Sequence, residues 1–265
     1  MVGPMTRTED SAERVSFGFE DVEPEEKTAR VRGVFRSVAS RYDLMNDLMS
    51  AGVHRLWKHD TLSKLNPQPG EKLLDVAGGT GDIAIGFLKR ADKAARRRHG
   101  PPAEAVVFDI NDAMLEAGMQ RPAADTYGGR LQWVCGDAEA LPFADRSFDA
   151  VTIGFGIRNV TDRAAALAEF RRVLKPAGRL AVLEFSHMTL PALQAAYDSY
   201  SFNVIPRLGG LVTGDSASYQ YLVESIRRFP DQAAFAREIR EAGFSRVSVT
   251  NFSGGGVALH FGWAV

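Results

Sequence analysis

Short apolar runs alternate with amphipathic segments along most of the chain, and this pattern predicts its secondary structure. Apolar runs predict strands at residues 73–76, 105–108, 131–134, 148–157, 179–185, 245–252 and 257–265. Apolar positions at helical spacing predict helices at 27–40, 83–91, 111–121 and 230–242, and one between a cap at Thr161 or Asp162 and Lys175. Five strand–helix units closed by a hairpin predict an α/β protein with a Rossmann-like, doubly wound, seven-stranded sheet that is mainly parallel, with one antiparallel strand.

Two segments outside this alternation are predicted to cover the substrate side of the sheet. Residues 27–60 and 190–228 interleave aromatic and aliphatic positions beyond the needs of a helix that packs on a sheet, which favours added helices there. Within the first segment, residues 40–58 fit two interpretations. They form either two amphipathic helices packed on the sheet or a lid that points Tyr42 and Asn46 into a pocket.

Composition narrows the class of protein. The 265 residues are 45% hydrophobic and 25% charged, as expected of a globular chain with a sizeable core. The net charge of -1 argues against a nucleic-acid partner, and the single cysteine, Cys135, is predicted to lie in the core. Residues 1–26 are polar and acidic, which predicts a flexible tail before one domain at 27–265. Without a leader or an apolar run of membrane-spanning length, we expect a cytoplasmic enzyme.

A glycine turn follows the first predicted strand of the sheet, in the order Asp75-Val76-Ala77-Gly78-Gly79-Thr80-Gly81-Asp82. Glycines 78, 79 and 81 allow positive φ and a close approach of the backbone to a ligand. The spacing differs from the dinucleotide pattern, and no lysine follows as in a P-loop. Asp75 suits a ligand with an ammonium group, which favours S-adenosylmethionine (SAM). Taken alone, the turn equally fits plain strand-to-helix packing.

Acidic residues at the ends of the next strands strengthen the SAM interpretation. Asp109 ends the second strand, where a carboxylate can accept both hydroxyls of a ribose. Asp137 follows the third strand, where it could accept the adenine amino group while the Ala138 N–H donates to a ring nitrogen. The alternative for Asp137 is an Asx-type turn. Because Asp75, Gly79, Asp109 and Asp137 fall at three successive strand ends, together they predict a SAM site.

Several longer stretches resemble the quinone-biosynthesis C-methyltransferases, a branch of the class I SAM-dependent methyltransferases that act on ubiquinone and menaquinone precursors. These stretches are residues 35–57, 74–82, 137–143, 155–160, 172–186 and 218–226. They span nearly the whole chain, and the FGIRNV sequence at 155–160 is much more specific than the glycine turn. The resemblance implies the class I methyltransferase fold and SAM contact through Thr80, Asp109, Asp137 and Ala138. Gly154 stands where the family often has serine, so only a main-chain contact is expected there.

The reaction that the resemblance implies moves a methyl group from the SAM sulfonium to a ring carbon of a polyprenylated quinol. Arg158, at the tip of the fourth strand, is the candidate for the charge that favours the phenolate, and Asn159 and Tyr42 would orient the ring. A water molecule beside Arg158, or Asp43, would take the proton. The alternative for Arg158 is a structural ion pair with a nearby acid. No metal is expected.

The acceptor side leaves more alternatives open. The prenyl tail would enter the 190–228 segment while its remainder stays in the bilayer, which predicts weak contact with the inner face of the membrane. The basic run at 93–102 is either a solvated helix end or part of that contact. The ring is a benzoquinol, a naphthoquinol or both. Another small aromatic acceptor, a non-catalytic SAM-binding role, a homodimer and a quinone-biosynthesis complex also remain open.

Overall fold

Apolar residues on both faces of the strands place a seven-stranded sheet at the centre of the protein. The computed structural model describes residues 14–38, 47, 50, 52–189 and 216–265. Tyr42 and Asp43 lie outside the described residues. The strands are β1 Val15–Phe17, β2 Glu20–Val22, β3 Lys72–Val76, β4 Glu104–Asp109, β5 Leu131–Cys135, β6 Phe148–Gly154, β7 Leu174–Phe185, β8 Phe244–Phe252 and β9 Val257–Ala264. The helices are α1 Pro24–Val38, α2 His54–Leu65, α3 Asp82–Arg98, α4 Asp112–Met119, α5 Pro122–Asp125, α6 Arg163–Val173, α7 Ser216–Arg228 and α8 Gln232–Glu241.

The order of the strands confirms the predicted fold class. In the sheet the order is β5-β4-β3-β6-β7-β9-β8, and β9 is antiparallel to both of its neighbours while the pairs from β5 to β7 are parallel. The chain leaves β3 towards β4 on one side and later returns to β6 on the other. The strand order therefore reverses at β3, and ligands of such sheets bind beyond the carboxyl ends of the strands at this point.

Alternation along each strand divides the core into two layers. Leu73 packs in the layer that holds α2 and α3, whereas the next residue, Leu74, packs in the layer that holds α6 and α8. Leu73, Leu74 and the rest of β3 to Val76 are buried, as expected of a parallel strand covered on both faces. Helices α3 and α8 therefore lie on opposite faces of the sheet.

The prediction of a flexible tail at 1–26 is wrong for the second half of that segment. Strands β1 and β2 form an antiparallel hairpin, and α1 begins at Pro24 rather than at Lys27. The hairpin packs on α7, where the Phe17 ring stacks on the Tyr221 ring with 4.2 Å between centroids. Three-residue strands are too short to show a period in the sequence, so the hairpin becomes visible only through this packing.

Three further expectations are corrected at strand ends. Cys135 is exposed rather than in the core, because β5 is an edge strand. Strand β6 ends at Gly154, so Arg158 and Asn159 lie in a separate 3₁₀ turn at Ile157–Asn159. Strand β7 begins at Leu174 and includes the residues predicted to form only a helix stop. Most of the basic run at 93–102 forms the end of α3, which extends to Arg98.

Candidate active site

A cavity lies beyond the carboxyl ends of β3, β4, β5 and β6, and α1 crosses over it. Its wall consists of Val76, Ala77, Gly79, Asp109, Asn111, Met114, Asp137, Ala138, Glu139, Phe155, Gly156 and Asn159, with Thr28, Val31, Arg32 and Phe35 from α1. Five residues singled out in the sequence therefore meet here, namely Gly79, Asp109, Asp137, Ala138 and Asn159. The others among the described residues, Asp75, Thr80, Gly81, Gly154 and Arg158, lie behind this wall.

The glycine turn brings backbone rather than side chains to the cavity. Gly79 has a φ of +54°, and a Cβ added there would lie 3.0 Å from Met114 Cε. A Cβ on Gly156 would lie 2.4 Å from the Cβ of Ala77. Ala77 and Phe155 also take positive φ, at 47° and 59°. Such backbone strain collects at functional sites because the surrounding packing holds it in place.

The buried carboxylate of Asp109 faces the cavity and is hydrogen-bonded by two main-chain donors. Its Oδ2 accepts from the Gly79 N–H at 2.9 Å, and its Oδ1 accepts from the Asn111 N–H at 2.9 Å. Burial raises the pKa of Asp109 to about 6, while these backbone donors act in the opposite direction. The carboxylate is therefore mostly ionised at neutral pH. A carboxylate has about four acceptor positions, so capacity remains for two hydroxyls of a ligand.

Asp75 occupies a supporting position beneath the glycine turn, not the place in the cavity wall that the sequence suggested. Its Oδ1 accepts from Thr152 Oγ1 at 2.6 Å, and its Oδ2 accepts from the Ala84 N–H at 3.2 Å. Burial raises the pKa of Asp75 to about 7. The side chain thus ties β3 to β6 and to the first turn of α3, and its place fits the packing alternative left open for the turn.

Thr80 and Gly81 form the outer side of the same turn. Arg121 Nη1 donates to both the carbonyl oxygen and the Oγ1 of Thr80 at 3.0 Å, and it also contacts Asp82. Although burial acts in the opposite direction, Lys58 and Arg121 hold the pKa of Asp82 well below its usual range. Thr80 is therefore fixed by a cation, and its placement supports the turn from outside the cavity.

Asp137 and Gly154 were both predicted as cofactor-binding positions, and the structure shows a structural role for each. Asp137 Oδ1 accepts from the Glu139 N–H at 3.0 Å, which is the Asx-type turn named as the alternative, yet Asp137 also lines the cavity. The two interpretations of Asp137 are therefore compatible. At Gly154 an added Cβ would lie 2.7 Å from Ile83 Cδ1, so α3 occupies the space where a side chain would stand.

Arg158 forms a buried ion pair, the alternative that the sequence left open. Its Nη1 donates to Glu184 Oε1 at 2.7 Å and to the Phe155 carbonyl oxygen at 2.5 Å. Burial raises the pKa of Glu184, and the Arg158 guanidinium opposes that rise. Among the described residues, Arg158 Nε has no hydrogen-bond partner. The guanidinium thus retains one buried donor that the ion pair does not use.

Tyr221 is a site residue that the sequence analysis placed only among apolar cover. Its hydroxyl donates to Asn159 Oδ1 at 3.0 Å, and burial raises the pKa of Tyr221, so the phenol stays protonated. Because Oδ1 accepts this hydrogen bond, the Asn159 amide is held in one orientation and its Nδ2 remains available as a donor. The only sign of this role in the sequence was a tyrosine hydroxyl on the otherwise apolar face of a helix. The Phe17 ring that stacks on Tyr221 lies about two hundred residues away along the chain, so no local pattern links the two.

Helix α1 is clamped over the cavity at both of its ends. Near the start, Lys27 Nζ donates to the Val160 carbonyl oxygen at 2.9 Å, and burial, with Arg163 nearby, lowers the pKa of Lys27 to about 8. Farther along, Asn111 Nδ2 donates to the Arg32 carbonyl oxygen, and Arg36 pairs with Asp112 at 3.0 Å. These contacts hold the four α1 side chains of the cavity wall against the strand ends.

The charges of the cavity fit SAM. Three carboxylates, those of Asp109, Asp137 and Glu139, line it against one cation, Arg32. Such a wall suits a ligand with a sulfonium and an ammonium group and repels a pyrophosphate. The missing Cβ atoms at Gly79 and Gly156 let the backbone of the cavity wall pack closely against Met114 and Ala77.

Neither a metal centre nor a membrane span emerges from the part of the chain that the structure describes. Across residues 14–38, 47, 50, 52–189 and 216–265, no three histidine, cysteine or acidic side chains cluster so that they could hold a metal ion. Within the same residues, no helix combines the length and the apolar character needed to cross a bilayer.

Comparisons with known proteins identify close relatives. The model of the ubiE/COQ5 methyltransferase family matches residues 23–264. The ubiquinone/menaquinone biosynthesis C-methyltransferase UbiE of Dinoroseobacter shibae is 57% identical over 256 residues, which cover 97% of this chain and 99% of that protein. The protein of the same name from Caulobacter vibrioides is 56% identical over 252 residues, covering 94% and 98%.

A solved structure agrees on the fold. A SAM-dependent methyltransferase of Thermotoga maritima, described as a possible histamine N-methyltransferase, superimposes with a TM-score of 0.59 at 20% sequence identity. The match covers 88% of this chain and 99% of that one. At this identity the likeness supports the class I methyltransferase fold and says nothing about the acceptor.

Neutralising Asp109 should weaken SAM binding. In Asp109→Asn the paired acceptor for the ribose hydroxyls is lost, so we expect the dissociation constant for SAM to rise about ten- to a hundredfold, as for a charge-assisted hydrogen bond. Isothermal titration calorimetry measures it. Asp75→Asn is the matched control, because it also neutralises a buried carboxylate but one outside the cavity wall, and a change of less than about threefold is expected. Equal effects of the two substitutions would contradict the placement of both residues.

Proposed function

Because the chain belongs to the ubiE/COQ5 methyltransferase family, we propose that it transfers the methyl group of SAM to a ring carbon of a polyprenylated quinol. The acceptor would be 2-polyprenyl-6-methoxy-1,4-benzoquinol, demethylmenaquinol or both. This choice is supported by the names of the relatives that match nearly the full length of the chain. The observation that carries the proposal is the acidic cavity bordered directly by Asn159 of the FGIRNV turn.

On the cofactor side, the residues of the cavity would bind SAM and orient it. When bound, SAM supplies a methyl group on a positively charged sulfur. Asp109 would accept the ribose hydroxyls with the acceptor capacity that its two backbone donors leave free. Asp137 and the Ala138 N–H would hold the adenine edge, and the Gly79 backbone would lie against the ligand. The excess of carboxylates favours the cationic cofactor over its neutral product, which promotes exchange after transfer.

On the acceptor side, the chain must favour a phenolate. A quinol carbon is a weak nucleophile until the neighbouring hydroxyl ionises and pushes electron density to the ortho position. Arg158 lies behind the cavity wall, next to the wall residue Asn159, and its unused Nε donor would stabilise that oxygen from there once the acceptor reaches it, since a hydrogen-bond donor in a dry site is worth far more than in water. Glu184 holds the guanidinium in place. Because arginine stays protonated, the proton goes to a water molecule beside it or to Asp43.

Ring orientation would depend on Asn159 and Tyr42. Asn159 borders the cavity, and Tyr221 fixes its amide so that Nδ2 can donate to a ring oxygen. Tyr42, outside the described residues, would contact the ring from the lid. The prenyl tail would pass beside α7 and the 190–215 segment, leaving most of its length in the bilayer, so the protein acts at the cytoplasmic surface of the membrane. This step implies weak, peripheral membrane contact.

The acceptor proposal is tested by methyl transfer from labelled SAM under reducing conditions. Short-tailed demethylated benzoquinol and naphthoquinol serve as parallel acceptors, and the ratio of the two rates assigns the ring. We expect label in a ring carbon of at least one product. A protein that binds SAM but labels neither ring would overturn the acceptor while leaving the family and the fold in place. A protein that does not bind SAM would contradict the SAM site itself.

Removing the Arg158 guanidinium should slow transfer without weakening SAM binding. Arg158→Gln alone leaves Glu184 buried without its partner, which costs about 3–5 kcal/mol of stability. The informative variant is therefore Arg158→Gln with Glu184→Gln, for which we expect kcat to fall about 10²- to 10³-fold. Glu184→Gln alone is the control for the loss of the carboxylate: it retains the guanidinium, and because it leaves that cation buried without its charged partner, its unfolding is measured alongside. Near-normal turnover of the double variant, with intact SAM affinity, would remove Arg158 from the mechanism.

The Tyr221 hydroxyl should matter for the acceptor and not for the cofactor. Tyr221→Phe keeps the ring stacked on Phe17 but releases Asn159 Oδ1. We expect a fall in kcat/KM for the quinol of about five- to tenfold, which corresponds to one neutral hydrogen bond of about 1 kcal/mol. The SAM affinity should be unchanged. Tyr127→Phe removes a hydroxyl outside the cavity wall and provides the matched control. An equal loss in the control variant would refute the role of Tyr221.

A further inference from the structure

A groove between α2 and α3 concentrates positive charge on a chain that is nearly neutral overall. Eight lysine and arginine side chains line this basic groove, against a single carboxylate, Asp82. The whole chain carries 32 basic and 33 acidic residues. Positive charge is therefore concentrated locally in this groove, which lies outside the acidic cavity described above.

One row of the groove has no counter-charge. Lys89, Lys93 and Arg97 follow one another at four-residue spacing on α3, and all three are exposed. Among the described residues, no carboxylate lies within 4.0 Å of any of them. Like charges at this spacing destabilise a helix. A row of this kind that is kept on the surface suits a negatively charged partner.

The helix dipole accounts for only part of this charge. Arg96, Arg97 and Arg98 lie in the last turn of α3, where cations stabilise the helix terminus. The dipole effect fades within one turn and does not reach Lys89 or Lys93. At the opposite end of the groove, Lys58 and Arg121 flank the first turn of α3, where the dipole disfavours cations. The two cations at that end share Asp82, so the positive charge without a carboxylate within 4.0 Å lies along Lys89, Lys93 and Arg97.

The groove is a fixed feature of the fold. Gly86 allows Leu62 to pack at its floor, since an added Cβ would lie 2.5 Å from Leu62 Cδ1. Arg90 bridges the two helices, because its Nη1 and Nη2 donate to Ser63 Oγ and to the His59 carbonyl oxygen, both at 2.9 Å. These hydrogen bonds use neutral acceptors, so the charge of Arg90 is positioned without being neutralised.

An exposed apolar side chain adjoins the cations. Leu56, in the first turn of α2, is 63% exposed and follows Arg55, which lines the groove. The first turn of α2 also lies at the cofactor end of the groove, where Lys58 pairs with Asp82 at 2.8 Å. Cations together with an exposed apolar side chain are typical of a surface that lies on anionic lipid.

We propose that the basic groove between α2 and α3 docks the protein on anionic phospholipid headgroups. The proposal rests on the proposed function, because a polyprenylated quinol is delivered from a bilayer. Headgroup phosphates would meet Lys89, Lys93 and Arg97, while Leu56 enters the interface at the cofactor end. Docking on this face places the start of α2 against the membrane surface, and in that helix the Trp57 ring lies 6.2 Å from the ring of Phe155 in the cavity wall.

The test is co-sedimentation of the full chain with phosphatidylcholine vesicles that contain or lack phosphatidylglycerol. We expect binding to the anionic vesicles and its loss at high salt, and a drop of at least about fivefold in the bound fraction for Lys89→Glu with Lys93→Glu. The control is Arg237→Glu with Arg240→Glu, which makes the same change of charge on exposed positions of α8, on the other face of the sheet. The control should bind as the wild type does.

Failure of the docking proposal can be distinguished from failure of the proposed function. Vesicle binding requires no methyl transfer, and transfer to a water-soluble short-tailed quinol without vesicles should be the same in the wild type and both double variants. Transfer to a long-tailed quinol in anionic vesicles should fall only in Lys89→Glu with Lys93→Glu. Equal binding of wild type to neutral and anionic vesicles, or equal binding of the two double variants, would refute the proposal. Tighter binding of a short RNA than of the vesicles would replace lipid with nucleic acid.

Discussion

The hydrogen bond from the Gly79 N–H to Asp109 Oδ2 joins the two loops on which the cavity depends. It forms because β3 and β4 are neighbours in register, with Val76 opposite Phe108, so that both loops leave the sheet at the same level. A second bond, from the Gly78 N–H to the Phe108 carbonyl oxygen at 3.1 Å, fixes the same junction. The positive φ of Gly79 is what turns its N–H towards the carboxylate while keeping side chains out of the ligand space.

The cover over the cavity, on the side away from this junction, comes from distant parts of the chain. Lys27 reaches the Val160 carbonyl oxygen from α1, and Phe17 supports Tyr221 from the hairpin. Burying Lys27 opposes its charge, because the pKa falls to about 8 when α1 is docked. Docking therefore strengthens as the pH rises from about 8 towards the value of a free lysine, and it is weakest below that range.

Local patterns in the sequence predict those parts of the site that depend on a single strand end. Asp109, Asp137 and the glycine turn follow apolar runs, and the parallel sheet brings such ends together. The sequence does not predict as well whether such a side chain faces the cavity. The direction of Asp75, for example, depends on Thr152, a neighbour in space that offers it a hydrogen bond. The ion pair of Arg158 with Glu184 and the contact of Tyr221 with Asn159 join different elements, and no local period encodes them. The exposure of Cys135 follows from the order of strands, which is also non-local.

Helix α3 explains why the acids gather at the cavity while the cations gather outside it. Its N-terminus, capped at Gly81, directs the positive end of the helix dipole towards the cavity, which by itself disfavours a cationic ligand. Asp109, whose Oδ2 accepts from the Gly79 N–H beside the cavity, offsets that field, whereas Asp82 in the first turn is already paired with Lys58 and Arg121. The negative end of the same helix lies at Arg98, where the basic residues of the last turn are stabilised. The charged side chains around this helix, and not its dipole, therefore suit a cationic cofactor at one end and an anionic surface along its exposed side, and both fit a methyl transfer to a lipid-borne ring.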